Sequence, residues 1–311
     1  MGEVRAVRGV SFDVHPGECL GIVGESGSGK SALALSILQL LDDPGRTIAG
    51  HIMYDGKDIL GMSQRELREL RGKHIAMIFP EPQSALNPVL KVGYQVAEAI
   101  VSHRRSRVAT ARKEAAALMA EVRIPESRAR SGEYPHQFSG GMRQRVVIAM
   151  GLANQPAVLI ADEPTTALDV TVQAQILDLL RELNSRHKMA IILVTHNMGV
   201  VAALCSRVLV MYAGRVVEDG PVGEIYNHPQ HPYTWLLMRA MPTLDGDRKR
   251  PLQAIEGSPP DLVRDEPGCP FRVRCPFSVA RCAADDPPLL EVGDNHRAAC
   301  WVTMDRAQSG R

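Results

Sequence analysis

Eight consecutive residues, Gly24-Glu25-Ser26-Gly27-Ser28-Gly29-Lys30-Ser31, fit the pattern G-x-x-x-x-G-K-[ST]. Small residues let successive backbone N–H groups turn inward on phosphate oxygens, and the positive end of a following helix adds to that field. In this pattern Lys30 reaches the β- and γ-phosphates and the Ser31 hydroxyl ligates Mg²⁺, so the segment predicts a nucleoside triphosphate site. Asp162 and Glu163 end the apolar run from Ala157 to Ala161. Asp162 is placed to hold the magnesium shell, directly or through water. Glu163 points the other way on a strand and can polarise the water that attacks the γ-phosphate. His196 ends another apolar run, Ile191 to Thr195, and can bond the γ-phosphate and the attacking water.

Two further groups carry chemistry. Ser139 reads as a helix N-cap followed by Gly140 and Gly141, so no side chain obstructs an anion approaching that helix start. Cys269, Cys275, Cys282 and Cys300 are separated by 5, 6 and 17 residues. In a reducing interior, metal binding is the natural reason to gather thiols, since disulfides are disfavoured there. These spacings match neither structural zinc chelates nor the ferredoxins, and by themselves they leave the metal open. Cys19 and Cys205 lie within apolar runs and read as small core residues.

The elements that must position these groups alternate along the chain. Residues 5–23 read as two short strands broken at His15-Pro16-Gly17, followed by the glycine-rich loop and an apolar helix. Thr47 to Ile59 reads as a hairpin turning at Tyr54-Asp55-Gly56, residues 63–72 as a charged helix and His74 to Phe79 as a strand. Alanine- and arginine-rich text between about 92 and 136 predicts a helical arm. Apolar runs at 157–161, 189–194 and 207–212, separated by helical stretches, predict a parallel sheet covered on both faces. Beyond about Pro221 the chain turns rich in Pro, His and Asp, which predicts a linker and a small appended module.

Composition removes other classes. The 311 residues are 45% apolar and 23% charged, the balance of a chain with a sizeable core. With 36 basic against 35 acidic residues no global field exists to hold a nucleic acid. No uninterrupted apolar run exceeds six residues, and Met1-Gly2-Glu3 opens no secretory signal, so the expectation is a soluble chain inside the cell.

Phe138-Ser139-Gly140-Gly141-Met142-Arg143-Gln144-Arg145 lies 108 residues after the phosphate loop and 23 before Asp162, and it resembles the LSGGQ signature of ABC-type ATPases in the FSGGM form of their peptide-importer branch. Ala167-Leu168-Asp169 resembles the family's D-loop, and Asn87-Pro88 its LNP element. His231-Pro232-Tyr233-Thr234, Leu236-Leu237 and Pro242 are similar to the element that opens the C-terminal extension of oligopeptide and dipeptide transporter ATPases. The resemblance implies an α/β P-loop cassette over residues 1–225. It comprises a mainly parallel sheet flanked by helices, an antiparallel β subdomain and a helical subdomain near 90–140, and an extension over 226–311 follows. It implies ATP and Mg²⁺ as ligands, with Ser139, Gly140, Gly141 and Met142 completing the ATP site of an opposing cassette, identical or not. It further implies two permease subunits, indirect work with a substrate-binding protein, and a peripheral place on the cytoplasmic face of the membrane. The GCPF and RCP segments around Cys269 and Cys275 resemble those of the same branch, where four cysteines hold a [4Fe-4S] cluster. Arg272, Arg274, Arg281 and Arg297 stand ready to offset its charge.

Two departures stand out. The family places a glutamine after the strand ending at Phe79, contacting Mg²⁺ and the lytic water, whereas this chain reads Pro80-Glu81-Pro82. Proline has no side-chain donor or acceptor and a fixed φ, so the departure predicts impaired hydrolysis at this site. The family also places an extra strand and an adenine-stacking aromatic ahead of Met1-Gly2-Glu3-Val4, which predicts a shortened start or weak adenine contact. The readings that follow are an importer ATPase, a regulatory cassette that binds ATP beside a catalytic partner, and a soluble ABC ATPase outside transport.

Overall fold

The structure is a computed structural model that describes residues 2–104, 106–240, 255–263, 267–302 and 304. Along the chain run β1 (Cys19–Val23), α1 (Lys30–Ile37), β2 (Met53–Tyr54), β3 (Lys57–Asp58), α2 (Gln64–Leu70), β4 (Ile75–Ile78), α3 (Pro82–Ala85), α4 (Val92–Val101), α5 (Val108–Glu121) and α6 (Ser127–Arg130). There follow α7 (Gly140–Leu152), β5 (Val158–Asp162), α8 (Val170–His187), β6 (Ala190–Thr195), α9 (Met198–Leu204), β7 (Arg207–Tyr212) and β8 (Arg215–Pro221). The last elements are α10 (Val222–Asn227), α11 (Pro232–Arg239), α12 (Arg281–Ala284), β9 (Leu290–Gly293) and β10 (His296–Ala298). Two compact units arise, one from the residues up to Asp13, Leu20–Leu33 and those from Thr195 onward, the other from Val14–Cys19 and Ala34–Val194.

In the second unit β4, β5 and β6 are parallel, with Ile78 beside Ala161 and Asp162 beside Val194. Their unbroken apolar text follows from burial on both faces, and Leu159, Ile160, Ile191 and Leu193 are fully or almost fully enclosed. Equal registers bring the carboxyl ends of the three strands to one edge, where α/β sheets place ligands. The stripe Ile176, Leu179, Leu180 and Leu183 on α8 has the spacing of one helix face and is buried, each side chain contributing about 1.5–3 kcal/mol. The arm forms as expected: α4 packs on α5 and both on α7, with the small Ala111 and Ala115 letting the helices approach. Ser63 and Glu66 close a capping box at the head of α2, worth about 1 kcal/mol. The β2–β3 hairpin turns at Asp55-Gly56, both with positive φ.

In the first unit β1 pairs with β7 in parallel, and β7, β8, β10 and β9 continue antiparallel, giving a mixed sheet. The expected strand before His15 is absent: Arg5 N donates to Leu262 O and Arg8 N to Gly214 O, with no regular ladder. Strands β8, β9 and β10 are findings of the structure. β8 hides because its buried positions include Glu218 and Asp219, which break the apolar text. Both acids are held by the far end of the chain, Glu218 by His296 Nε2 at 2.8 Å and Asp219 by Arg297 Nε at 3.2 Å.

Candidate functional site

The phosphate loop sits between β1, all of whose residues are buried, and α1. Lys30 is 6% exposed and lies inside the loop, where Nζ donates to Gly24 O at 2.8 Å, Glu25 O at 2.9 Å and Ser28 Oγ at 3.3 Å. Ser28 N donates to Glu25 O and Gly214 N to Ser28 O, which tie the turn to the β7–β8 connection. Gly29 has φ +98°, and a Cβ there would lie 2.1 Å from Ala6 O, so another residue would displace the N-terminal segment. Ser26, Gly27 and Ser31 stay exposed. A caged ammonium beneath open small residues fits the charge and width of a polyphosphate, and the Ser31 hydroxyl fits a magnesium ligand.

At the ligand edge of β5, Asp162 is 2% exposed. Glu163 does not lie on the strand as expected: β5 ends at Asp162, and Glu163 follows it with φ +48°. A non-glycine residue held there marks a position the surrounding structure over-determines, a pattern common at reacting centres. Glu163 N donates to Val194 O at 2.8 Å, and Thr166 Oγ1 donates to Glu163 Oε2 at 2.5 Å. His196 directly follows β6 and is exposed, beside Asn197, which caps α9 by accepting from Gly199 N.

Ser139 is the N-cap of α7, accepting from Met142 N at 3.4 Å, and both Ser139 and Gly140 are exposed. Gly141 is required by packing, because a Cβ would stand 2.5 Å from Val172 Cγ1 at the start of α8. Asp169 caps α8, accepting from Val172 N at 2.9 Å. Pro80 and Glu81 follow β4, and Pro82 opens the one-turn α3. Met77, Phe79, Pro80, Ala99, Val147 and Met150 line a groove of about 830 Å³, with Phe79 42% exposed.

The C-terminal extension is folded against the loop's own unit. His231 is the N-cap of α11; burial pushes it down to about 3, so it is neutral and Nδ1 accepts from Tyr233 N at 3.0 Å. Pro242 lies outside the described residues. Cys269, Cys275, Cys282 and Cys300, scattered over 32 residues, all line one small cavity with His231 and Phe271. Burial pushes Cys269 up to about 11 and Cys275 up to about 12, and raises Cys300. Among the described residues no three His, Cys, Asp or Glu side chains come close enough to hold one metal ion. Of the four arginines expected to balance a cluster, Arg272 lines the cavity and Nη1 donates to Cys269 O at 3.3 Å, while the others go elsewhere: Arg274 to Glu25, Arg297 to Asp219, and Arg281 over the Trp301 ring at 3.5 Å. Cys19 and Cys205 are buried, as expected of core residues. What the sequence left unread is the pairing of Glu25 with Arg274 and Tyr233, since no local pattern marks partners more than 200 positions apart.

Comparison with known proteins agrees with this arrangement. Residues 7–166 match the ABC transporter family model, and residues 217–282 match the model of the oligopeptide/dipeptide transporter C-terminal region. The oligopeptide transport ATP-binding protein OppD of Bacillus subtilis is 48% identical over 97% of this chain and 84% of its own length. The dipeptide transport ATP-binding protein DppD of the same species is 48% identical over 99% of this chain and 92% of its own. Among solved structures, a dimeric ATP-binding cassette in a post-hydrolysis state bound to ADP and Pi superposes with a TM-score of 0.62 at 30% identity, covering 70% of this chain and 90% of that one. Both ends of the chain are thus accounted for by one lineage, and the protein belongs to the ABC transporter family, as an ATPase cassette carrying the oligopeptide/dipeptide transporter C-terminal region.

Proposed function

We propose that this chain is the ATP-binding and ATP-hydrolysing subunit that energises an importer of di- or oligopeptides. The observation that carries the reading is the caged Lys30 in an open glycine loop, joined to relatives whose names are peptide transport ATP-binding proteins along almost the whole chain. Residues Gly24 to Ser31 bind the phosphates, Lys30 countering their charge. Ser31 and Asp162 supply oxygen ligands for Mg²⁺, which when bound polarises the phosphoryl oxygens. Glu163 accepts the proton of the attacking water, and His196 orients that water and the γ-phosphate. The exposed Ser139 and Gly140, with the buried Gly141 and with Met142, cap the nucleotide of a facing cassette, and Asp169 stands beside that interface. ATP closes the pair and hydrolysis reopens it, which drives two permease subunits between orientations. Among the described residues no helix is long and apolar enough to cross a membrane, and the apolar groove at Phe79 supports peripheral attachment to a cytoplasmic element of a permease. A substrate-binding protein delivers the peptide from the other side. The division into a cassette over 1–225 and an extension over 226–311 belongs to the same reading.

The four-thiol cavity is read as a [4Fe-4S] cage. The convergence of all four cysteines on one enclosed space supports it, and cubane thiolates stand further apart than the ligands of one ion. Cys269, Cys275, Cys282 and Cys300 would hold such a cluster as thiolates, and it would supply cross-links to a loop-rich module.

Pro80 favours a second reading, in which this cassette hydrolyses slowly beside a non-identical catalytic partner. The test is uptake of labelled di- and oligopeptides by proteoliposomes holding this chain, its permeases and its binding protein. Accumulation that requires MgATP and disappears with Glu163→Gln is expected. Uptake undiminished by that substitution assigns hydrolysis to the partner, and no nucleotide-dependent uptake contradicts the importer reading.

A further inference from the structure

The loop that receives a triphosphate carries a carboxylate of its own. Glu25 is its second residue, with 26% of its side chain exposed. Unopposed, its charge would repel phosphate across a few ångströms of poorly screened space. Arg274, 249 positions away, meets it fork to fork: Nη1 donates to Oε2 at 2.6 Å and Nη2 to Oε1 at 3.0 Å. The arginine side chain is 4% exposed, and its remaining donors reach Tyr212 OH at 3.2 Å, Ile255 O at 3.1 Å and Glu256 O at 2.9 Å. An exposed pair would contribute little, but a half-buried bidentate one in which the cation is fully satisfied fixes both partners in place.

The same residue is gripped through its backbone. Glu25 N donates to Tyr233 OH at 2.7 Å, and Tyr233 is fully buried. Its ring centroid is 4.7 Å from that of Tyr212 and 5.4 Å from that of Phe271, and the Arg274 guanidinium lies 5.8 and 5.9 Å from Tyr212 and Phe271. Arg274 N donates to Phe271 O within the turn that also presents Cys269 and Cys275. One aromatic block from the C-terminal extension thus holds both the side chain and the main chain of a loop residue.

We propose that Arg274 and Tyr233 are positioning residues for the nucleotide: they neutralise Glu25 and hold the first half of the phosphate loop open, so that the C-terminal extension sets the affinity for ATP. The proposal rests on the ATPase reading of the loop. Loop motifs of this kind are self-sufficient in strand, glycines and helix, and here a support arrives from the far end of the chain. A change at the thiols reaches the loop through one peptide bond, from Cys275 to Arg274.

The test is titration of the full chain with a fluorescent MgATP analogue, with thermal melting of every variant and ATP turnover in the assembled transporter. Arg274→Ala is expected to weaken binding about tenfold, and Arg274→Lys, which keeps the charge and loses the fork, about threefold. The double variant Arg274→Ala/Glu25→Gln is expected to bind within about threefold of wild type, because the uncompensated charge is gone. Tyr233→Phe removes one oxygen, and should weaken binding about threefold while KM for ATP rises and kcat stays within twofold. Folded Arg274→Ala protein that binds as wild type, or a double variant no better than the single, overturns the proposal. Should Arg274→Ala unfold, Tyr233→Phe decides, and wild-type affinity in it overturns the proposal. Wild-type protein that binds no MgATP contradicts the ATPase reading instead.

Discussion

Glu163, proposed as the general base, illustrates how little of a side chain's setting lies in its residue type. Two acids after an apolar run suggest a divided labour, and the structure supplies its means: Asp162 stays buried in the strand while Glu163 leaves it in a left-handed conformation, hydrogen-bonded to Thr166. Removing a general base costs typically 10²–10⁴-fold. Glu163→Gln is therefore expected to lower turnover at least about a hundredfold while ATP binding persists and the two cassettes stay closed, as read by phosphate release and size-exclusion chromatography with ATP. Turnover near wild type would remove Glu163 from that role. Pro80 makes the opposite prediction. Pro80→Gln restores a side chain able to contact metal and water, and turnover in the assembled complex should rise severalfold; an unchanged rate assigns Pro80 no part in the slow step. Residues whose placement follows from their neighbours in sequence, such as Lys30 in the loop, Ser139 at a helix N-cap and Asp162 at a strand end, are legible in the sequence. In sequence Arg274 displays its charge and not its partner, so it reads as a cluster's counter-charge rather than as the mate of Glu25.

Legibility falls differently among the elements. Apolar strands enclosed on both faces, β1, β4, β5, β6 and β7, announce themselves by composition, since burial on two sides leaves no polar positions. β8 carries Glu218 and Asp219 inward, and its stability depends on His296 and Arg297 from β10, so nothing local marks it as a strand. β9 is an edge strand exposed at every residue, Leu290 and Val292 on its apolar side included, so burial leaves no mark on its text. The strand expected before His15 fails for the converse reason: its alternating text lacks a ladder partner. The helical arm is legible in composition, while the groove beside it is not, because its lining gathers residues from β4, α4, α7 and the turn after Phe79. Placing a charge in that groove should uncouple the cassette from its permeases. Phe79→Asp is expected to cut co-purification with the permeases at least about tenfold while nucleotide affinity of the isolated chain stays within twofold; undiminished co-purification would locate the attachment elsewhere.

At the scale of the whole molecule, the C-terminal extension is built into the unit that carries the phosphate loop, through Tyr233 on the backbone and Arg274 on the side chain of Glu25. The cysteines share this framework, so if they hold the proposed cluster, its loss should be felt as lost stability and then as weaker nucleotide binding. Cys275→Ser in anaerobically purified protein is expected to lose the iron and acid-labile sulfide of the wild type, together with visible absorbance near the charge-transfer band of such clusters. Wild-type protein free of iron and sulfide would reduce the cavity to four buried thiols. The central claim is that the loop at 24–31 holds a triphosphate that a facing cassette completes, and equilibrium binding of ATP to the purified chain with its partner cassette measures it most directly. Saturable binding that requires Mg²⁺, draws the cassettes into a dimer and vanishes with Lys30→Ala is the predicted result. Absence of magnesium-dependent binding, or binding untouched by Lys30→Ala, would contradict it.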